Sequence, residues 1–218
     1  MTTIGSKKMN NNINIILNYL DTLYPNPRCE LNYTKDYELL IAIVLSAQTT
    51  DKRVNKVTKV LFTKYPSLDA LNTASQEDIA NIIREIGTFN KKSIYIKNIV
   101  ATLIKDNNYT IPNDQKYLES LPGVGHKTAN VFLSNIYNVD AIAVDTHVSR
   151  VSKRLNLASK DDDVKTIETK LMRIVPKEKW GRTHHQLVLF GRYVCKAISP
   201  QCHTCHLKGI CPYYKQKS

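Results

Sequence analysis

Residues 121–129 read Leu121-Pro122-Gly123-Val124-Gly125-His126-Lys127-Thr128-Ala129. Before them a short helical segment runs from Tyr117 to Leu121. After them Ala129, Phe132, Leu133 and Ile136 fall at i, i+3, i+4 and i+7, the spacing of one helix face. Pro122 stops the first helix, and the two glycines let the backbone turn tightly without Cβ clashes. The second helix then opens with free N–H groups and a positive dipole end. That end suits a phosphate group, which the glycines allow close to the backbone.

The same periodicity recurs outward from this turn. Ile13, Ile16, Leu17 and Leu20 form one stripe, and Ile96, Ile99, Val100 and Leu103 form another. Val54, Val57 and Leu61 make a narrower one, flanked by Lys52, Arg53, Lys56 and Lys59. Ser75 followed by Asp78 predicts a helix start, with the helix running through Ile79, Ile82, Ile83 and Ile86 to stop at Gly87. Asp163 caps another through Val164, Ile167, Leu171 and Val175. Leu39 to Leu45 is apolar on all sides; with no alternating partner strand elsewhere, it reads as a buried helix. The expected fold class is all-α, about ten helices with short connections.

Composition narrows the function classes. Apolar residues make up 42%, and no run approaches the roughly 18 apolar residues of a membrane span. The polar N-terminus, with Ile13, Ile15, Ile16 and Leu17 interrupted by Asn14 and Asn18, makes a poor signal core. We expect an intracellular, cytoplasmic protein with no membrane partner. Lys and Arg outnumber Asp and Glu by 31 to 19, a net charge of +12 that favours a polyanionic partner, nucleic acid first.

Five cysteines, four of them between 195 and 211, do not form a disulfide framework. Cys195, Cys202, Cys205 and Cys211 give C-x6-C-x2-C-x5-C, four thiolates able to wrap a tetrahedral Zn²⁺ or a cubane cluster. Spacing alone leaves both open. Cys29 stands apart and reads as an inert thiol. By position, Lys127 is one more lysine on a lysine-rich surface. Asp145, after Ala141-Ile142-Ala143-Val144 and before a helix to Leu155, reads as an N-cap.

Taken together, L-P-G-V-G-x-K-T-A in the turn, S-A-Q-T-T-D at Ser46 to Asp51, A-V-D-T-H at Ala143 to His147 and the terminal cysteines are far more specific than any one motif. The chain resembles, over nearly its whole length, the helix-hairpin-helix DNA glycosylases of the endonuclease III family. The resemblance implies a bifunctional DNA glycosylase and AP lyase of base excision repair, acting on duplex DNA with oxidised pyrimidines or abasic sites. Lys127 would attack C1′, displace the base and permit β-elimination through a Schiff base; a nucleophile must be an uncharged amine. Asp145 would face it and stabilise positive charge on the sugar. Gln48 would enter the space the flipped base vacates. Leu121, Gly123, Val124 and Gly125 would form the DNA-binding hairpin.

The same resemblance implies a [4Fe-4S] cluster on the four cysteines, pinning a loop whose Lys196 and Lys208 face the DNA backbone. It also implies two helical lobes with a basic cleft between them. One is a six-helix barrel over residues 29–139 that contains the hairpin; the other combines 1–28 with 140–218 and carries the cluster loop. One position departs from the family: Gly87-Thr88-Phe89-Asn90 has Thr88 where a leucine wedge is usual, so either Phe89 takes that part or the wedge is weaker. Two alternatives follow. The adenine-mismatch branch usually lacks the hairpin lysine and carries a long C-terminal domain, whereas Lys127 is present and Cys211 is followed by seven residues. A non-catalytic iron–sulfur DNA-binding protein would need neither Lys127 nor Asp145. A monomer is the default expectation.

Overall fold

The computed structural model describes residues 3–106, 109–137 and 142–216, with residues 3–11 as backbone only. Among them every regular element is helical. The chain divides into two compact units, Met1–Cys29 with Asn138–Ser218, and Glu30–Tyr137. The expected lobe boundary at 139/140 lies outside the described residues.

The central unit contains α2 (Asp36–Ser46), α3 (Asp51–Lys64), α4 (Leu68–Thr73), α5 (Gln76–Ile82), α6 (Phe89–Lys105), α7 (Gln115–Ser120) and α8 (His126–Ile136). The all-apolar run is indeed a helix, α2, and it packs against α3, α6 and α8. Leu39, Leu40, Ile41, Ala42 and Leu45 are wholly buried. Burying each of the larger of these contributes about 1.5–3 kcal/mol. Near its start Glu38 is also buried, and its Oε2 accepts from the Thr34 N–H (2.8 Å) and the Thr34 hydroxyl (2.9 Å), which satisfies the carboxylate locally. Asp36 Oδ2 accepts from the Ile111 N–H at 2.7 Å and ties the segment before α7 to this helix.

Ser75 caps α5 by accepting from the Asp78 N–H at 3.0 Å. The capping box does not close, because the Asp78 carboxylate instead receives Lys64 at 2.7 Å and the Tyr65 hydroxyl. The helix also ends earlier than the sequence predicts, at Ile82 and not beside Gly87. Ile83 leaves helical geometry, and the Ile86 N–H bonds back to the Ile83 carbonyl in a tighter turn. That turn keeps both Ile83 and Ile86 buried, as a continued helix with the same stripe would.

The second unit holds α1 (Thr3–Leu23), α9 (Thr146–Arg154), α10 (Val164–Ile174), a 3₁₀ turn (Lys177–Lys179), α11 (Trp180–Tyr193) and α12 (Pro212–Lys215). The Ile13, Ile16, Leu17, Leu20 stripe of α1 meets Val148 and Val151 of α9, Ile167 and Leu171 of α10, and Leu187 and Phe190 of α11 in one core. Asp21 fastens α1 to α11, accepting from Arg182 Nε at 2.7 Å and Gln186 Nε2 at 2.9 Å. Helices α9 and α11 approach closely at Gly191, where a Cβ would stand 2.8 Å from that of His147. His147 is accordingly half-buried, a packing residue more than a surface one.

Candidate functional site

Helices α7 and α8 pack side by side, joined by the turn over Leu121 to Gly125. Asp114 starts α7, its carboxylate accepting from the Lys116 N–H at 2.8 Å. After Ser120 the chain makes a type II turn: the Val124 N–H donates to the Leu121 carbonyl at 3.1 Å, Pro122 holds the second position and Gly123 the third, at φ +78. Gly123 is required twice over, because a Cβ there would also lie 2.9 Å from Tyr95 Cε2 and nearer still to Cδ2. Leu121 and Val124 have buried side chains that anchor the turn, so only their backbone is available to a phosphate.

Gly125 differs. It is the N-cap of α8 in ordinary extended geometry, and a Cβ there would meet nothing within 4 Å. The turn itself does not demand this glycine. No side chain caps α8, in contrast to α4, α5, α7, α9 and α10, each capped by a serine or aspartate. Lys127, the second residue of α8, is exposed beside this open N-terminus. His126 Nδ1 lies 3.0 Å from Glu119 Oε1 and 2.8 Å from Gln115 Nε2. Hydrogen bonds from Gln115 and then His126 hold the Glu119 carboxyl below its usual range.

Two further exposed loops belong to the same unit. Gln48 lies between α2 and α3 at φ 58, and Thr88, the N-cap of α6, lies at φ 57. Both occupy the left-handed region, which is uncommon for a non-glycine residue and an outlier for a β-branched one. Between the loops sits Lys92 of α6, 5% exposed, whose Nζ donates to the Leu45 carbonyl at 2.9 Å and the Ala47 carbonyl at 2.8 Å. Burial pushes its amine below the usual lysine range. The sequence reading did not single out Lys92. Its signal was helical phase, four residues ahead of Ile96 and seven ahead of Ile99 on the buried face of α6.

In the other unit Asp145 caps α9, its Oδ1 accepting from the Val148 N–H at 2.8 Å. The cap uses one carboxylate oxygen, which leaves the second for other chemistry. The far end of α9 reaches the cysteine loop. Arg150 Nε donates to the Cys195 carbonyl at 3.1 Å. Arg154 donates to the Lys196 carbonyl at 2.6 Å, to the Ala197 carbonyl at 3.2 Å and to Cys195 Sγ at 3.4 Å, with its guanidinium 4.1 Å from the centre of the Tyr213 ring. These arginines, four residues apart on one helix, also escaped the sequence reading.

Cys195, Cys202, Cys205 and Cys211 line one cavity, whose other walls include Leu155, Phe190, Val194, Tyr213 and Tyr214. All four are free thiols, while the part-buried Cys29 lies outside that lining. Burial pushes the Cys195 and Cys205 thiols up, against a lowering hydrogen bond from Arg154 to Cys195. Among the described residues no three His, Cys, Asp or Glu side chains are drawn close enough to hold a single metal ion. The fit of a larger group therefore rests on the shared cavity, its apolar walls and the arginines beside it. Lys208, exposed, belongs to the same lining, and Lys196 is half-buried.

The hairpin with Lys127 and the Asp145 cap stand in different units. No helix of the described residues is long and apolar enough to cross a membrane.

Comparison with known proteins places this geometry. The profile of the HhH-GPD superfamily of base excision DNA repair proteins matches residues 41–177. The chain is 45% identical over 199 residues to endonuclease III of Bacillus subtilis, covering 91% of each. It is 40% identical over 198 residues to endonuclease III of Escherichia coli, covering 91% of this chain and 93% of that one. Among solved structures, a trapped endonuclease III–DNA covalent intermediate superposes with a TM-score of 0.91 at 47% identity, covering 95% of this chain and 98% of that one. A thermostable thymine-DNA glycosylase, at 24% identity and a TM-score of 0.83, shares the fold. An open, uncapped hairpin helix carrying a lysine, an aspartate at a second helix N-terminus and four thiols about one cavity thus occur in a chain that belongs to the endonuclease III family of the HhH-GPD superfamily.

Proposed function

We propose that this enzyme removes oxidised pyrimidines from duplex DNA and cleaves the abasic strand, with Lys127 as nucleophile and Asp145 as its partner carboxylate. Membership in the endonuclease III family makes it a DNA glycosylase and AP lyase of base excision repair. The observation that carries the residue assignment is Lys127 exposed at the uncapped start of α8, two residues after the open position at Gly125. A backbone phosphate seated on the first turn of α8 holds the damaged strand there. Lys127 Nζ then forms a bond to C1′ as the bond to the base breaks, and the base leaves with the electron pair. The sugar opens to a Schiff base, a C2′ proton is lost, and the 3′ phosphate departs by β-elimination. Water then releases the lysine.

Asp145 stabilises the positive charge that develops on the sugar while one of its oxygens keeps the helix cap. Gln48 and Thr88, each on an exposed loop, occupy the duplex once the base has flipped. Threonine fills that space less than leucine does.

Cys195, Cys202, Cys205 and Cys211 would hold a [4Fe-4S] cluster, which when bound cross-links a loop with little regular structure. Arg150 and Arg154 grip that loop from the end of the helix that Asp145 begins, so fixing the loop also steadies Asp145.

The test uses a duplex with one thymine glycol and a second with one abasic site. The proposal expects base release and strand cleavage with β-elimination ends on the first, and cleavage alone on the second. Base release without cleavage would remove the lyase half, and neither product would overturn the reading.

A further inference from the structure

Gln48 and Thr88 are the residues that hold left-handed backbone on two separate exposed loops of one unit. Each costs about 1–2 kcal/mol relative to ordinary backbone. Such conformations persist only where the surroundings over-determine them. Lys92 is bonded to both loops. Its backbone N–H makes the ordinary opening bond of α6 to the Thr88 carbonyl at 3.0 Å, and its side-chain Nζ reaches across to the carbonyls of Leu45 and Ala47, the latter immediately before Gln48. Ala47 is the C-cap of α2, so the ammonium also answers the negative end of that helix and its last carbonyls. A lysine 5% exposed and bonded only to neutral carbonyls carries a burial cost that packing alone does not explain.

We propose that Lys92 is a positioning residue that locks the Gln48 and Thr88 loops to one another, so that both enter the duplex as one preformed wedge. It touches neither substrate nor reacting atoms. The inference rests on the reading of Gln48 and Thr88 as the duplex-filling residues given above. Without the brace, the Ala47–Gln48 peptide is free to relax out of the left-handed region, and each insertion must first pay the ordering of its own loop. The defect then falls on the step that holds the duplex open, not on attack at C1′.

The test compares wild type with Lys92→Met, a near-isostere without donors, in single-turnover reactions on two substrates. One carries thymine glycol paired with adenine. The other carries the same lesion opposite a one-nucleotide gap, where no partner base has to be separated and held. Lys92→Met should slow the paired reaction by about ten- to a hundredfold, as loosened positioning does, and the gapped reaction much less. A fluorescent base analogue beside the lesion should report reduced local opening in the paired duplex. A purely structural role would lower both rates together, and equal slowing on the two substrates would overturn the proposal. If Lys92→Met yields no folded protein, Lys92→Arg keeps the charge and donors in altered geometry and carries the same ratio test: a raised gapped-to-paired ratio supports the brace, an unchanged one overturns it. Wild type inactive on both substrates would instead strike the proposed function itself.

Discussion

Gly123 and Gly125 look equivalent in the sequence and are not equivalent in the structure, which makes a paired substitution informative. Gly123→Ala places a Cβ at φ +78, worth about 1–2 kcal/mol of backbone strain. It also drives that atom into the Tyr95 ring, 2.9 Å from Cε2, and overpacking of this kind costs about 1–3 kcal/mol. Together they come to about 2–5 kcal/mol, a lowering of Tm by about 5–15 °C in a chain of this size. Gly125→Ser meets open space in a backbone geometry that N-cap serines favour, so stability should hold or rise by a few tenths of a kcal/mol. The serine hydroxyl and Cβ would nonetheless occupy the approach to the first turn of α8, where the phosphate is proposed to sit. Thermal unfolding followed by circular dichroism, with duplex binding by fluorescence anisotropy at fixed salt, separates the two effects. Gly125→Ser should stay folded and bind DNA more weakly. A Gly125→Ser protein that binds DNA as wild type does would refute the hairpin phosphate site, and an undisturbed Tm in Gly123→Ala would refute the turn argument.

Asp145→Asn keeps a good N-cap, so its stability should stay within about 0.5 kcal/mol of wild type. Its turnover should fall by about 10²–10³ for want of the carboxylate charge, as single-turnover kinetics would show. For Asp21, burial raises the carboxyl but bonds from Gln186 and Arg182 outweigh it and hold it below its ordinary 3.8. Its stabilisation is therefore present above about pH 4 and is lost as pH falls through the lower folded value. Asp21→Ala should cost about 1–3 kcal/mol at neutral pH in urea unfolding, with the gap to wild type closing in acid. Cys205→Ser should lose visible cluster absorbance and most of its iron, about four atoms per chain in wild type, and loosen the cysteine loop to proteolysis.

How much was legible in the sequence followed from how local the physics was. The apolar stripe of α1 and the caps at Ser75, Asp145 and Asp163 depend on residues three or four apart, and the sequence displays them directly. The early end of α5 was not legible, because Ile83 and Ile86 satisfy a helical stripe as well as the tight turn that buries them. Lys92 hid among neighbouring lysines, since its two acceptors are carbonyls more than forty residues away. Arg150 and Arg154 hid for the same reason, their partners lying in the cysteine loop. The left-handed backbone at Gln48 and Thr88 has no compositional sign at all, because neither residue type favours it.

Borohydride trapping on a thymine glycol duplex tests the central claim most directly, because it captures the Schiff base between enzyme and sugar. Wild type should give a covalent protein–DNA adduct whose modified peptide contains Lys127, and Lys127→Ala, folded and with its cluster intact, should give none. No adduct from wild type despite tight duplex binding, or an undiminished adduct from Lys127→Ala, would contradict the account.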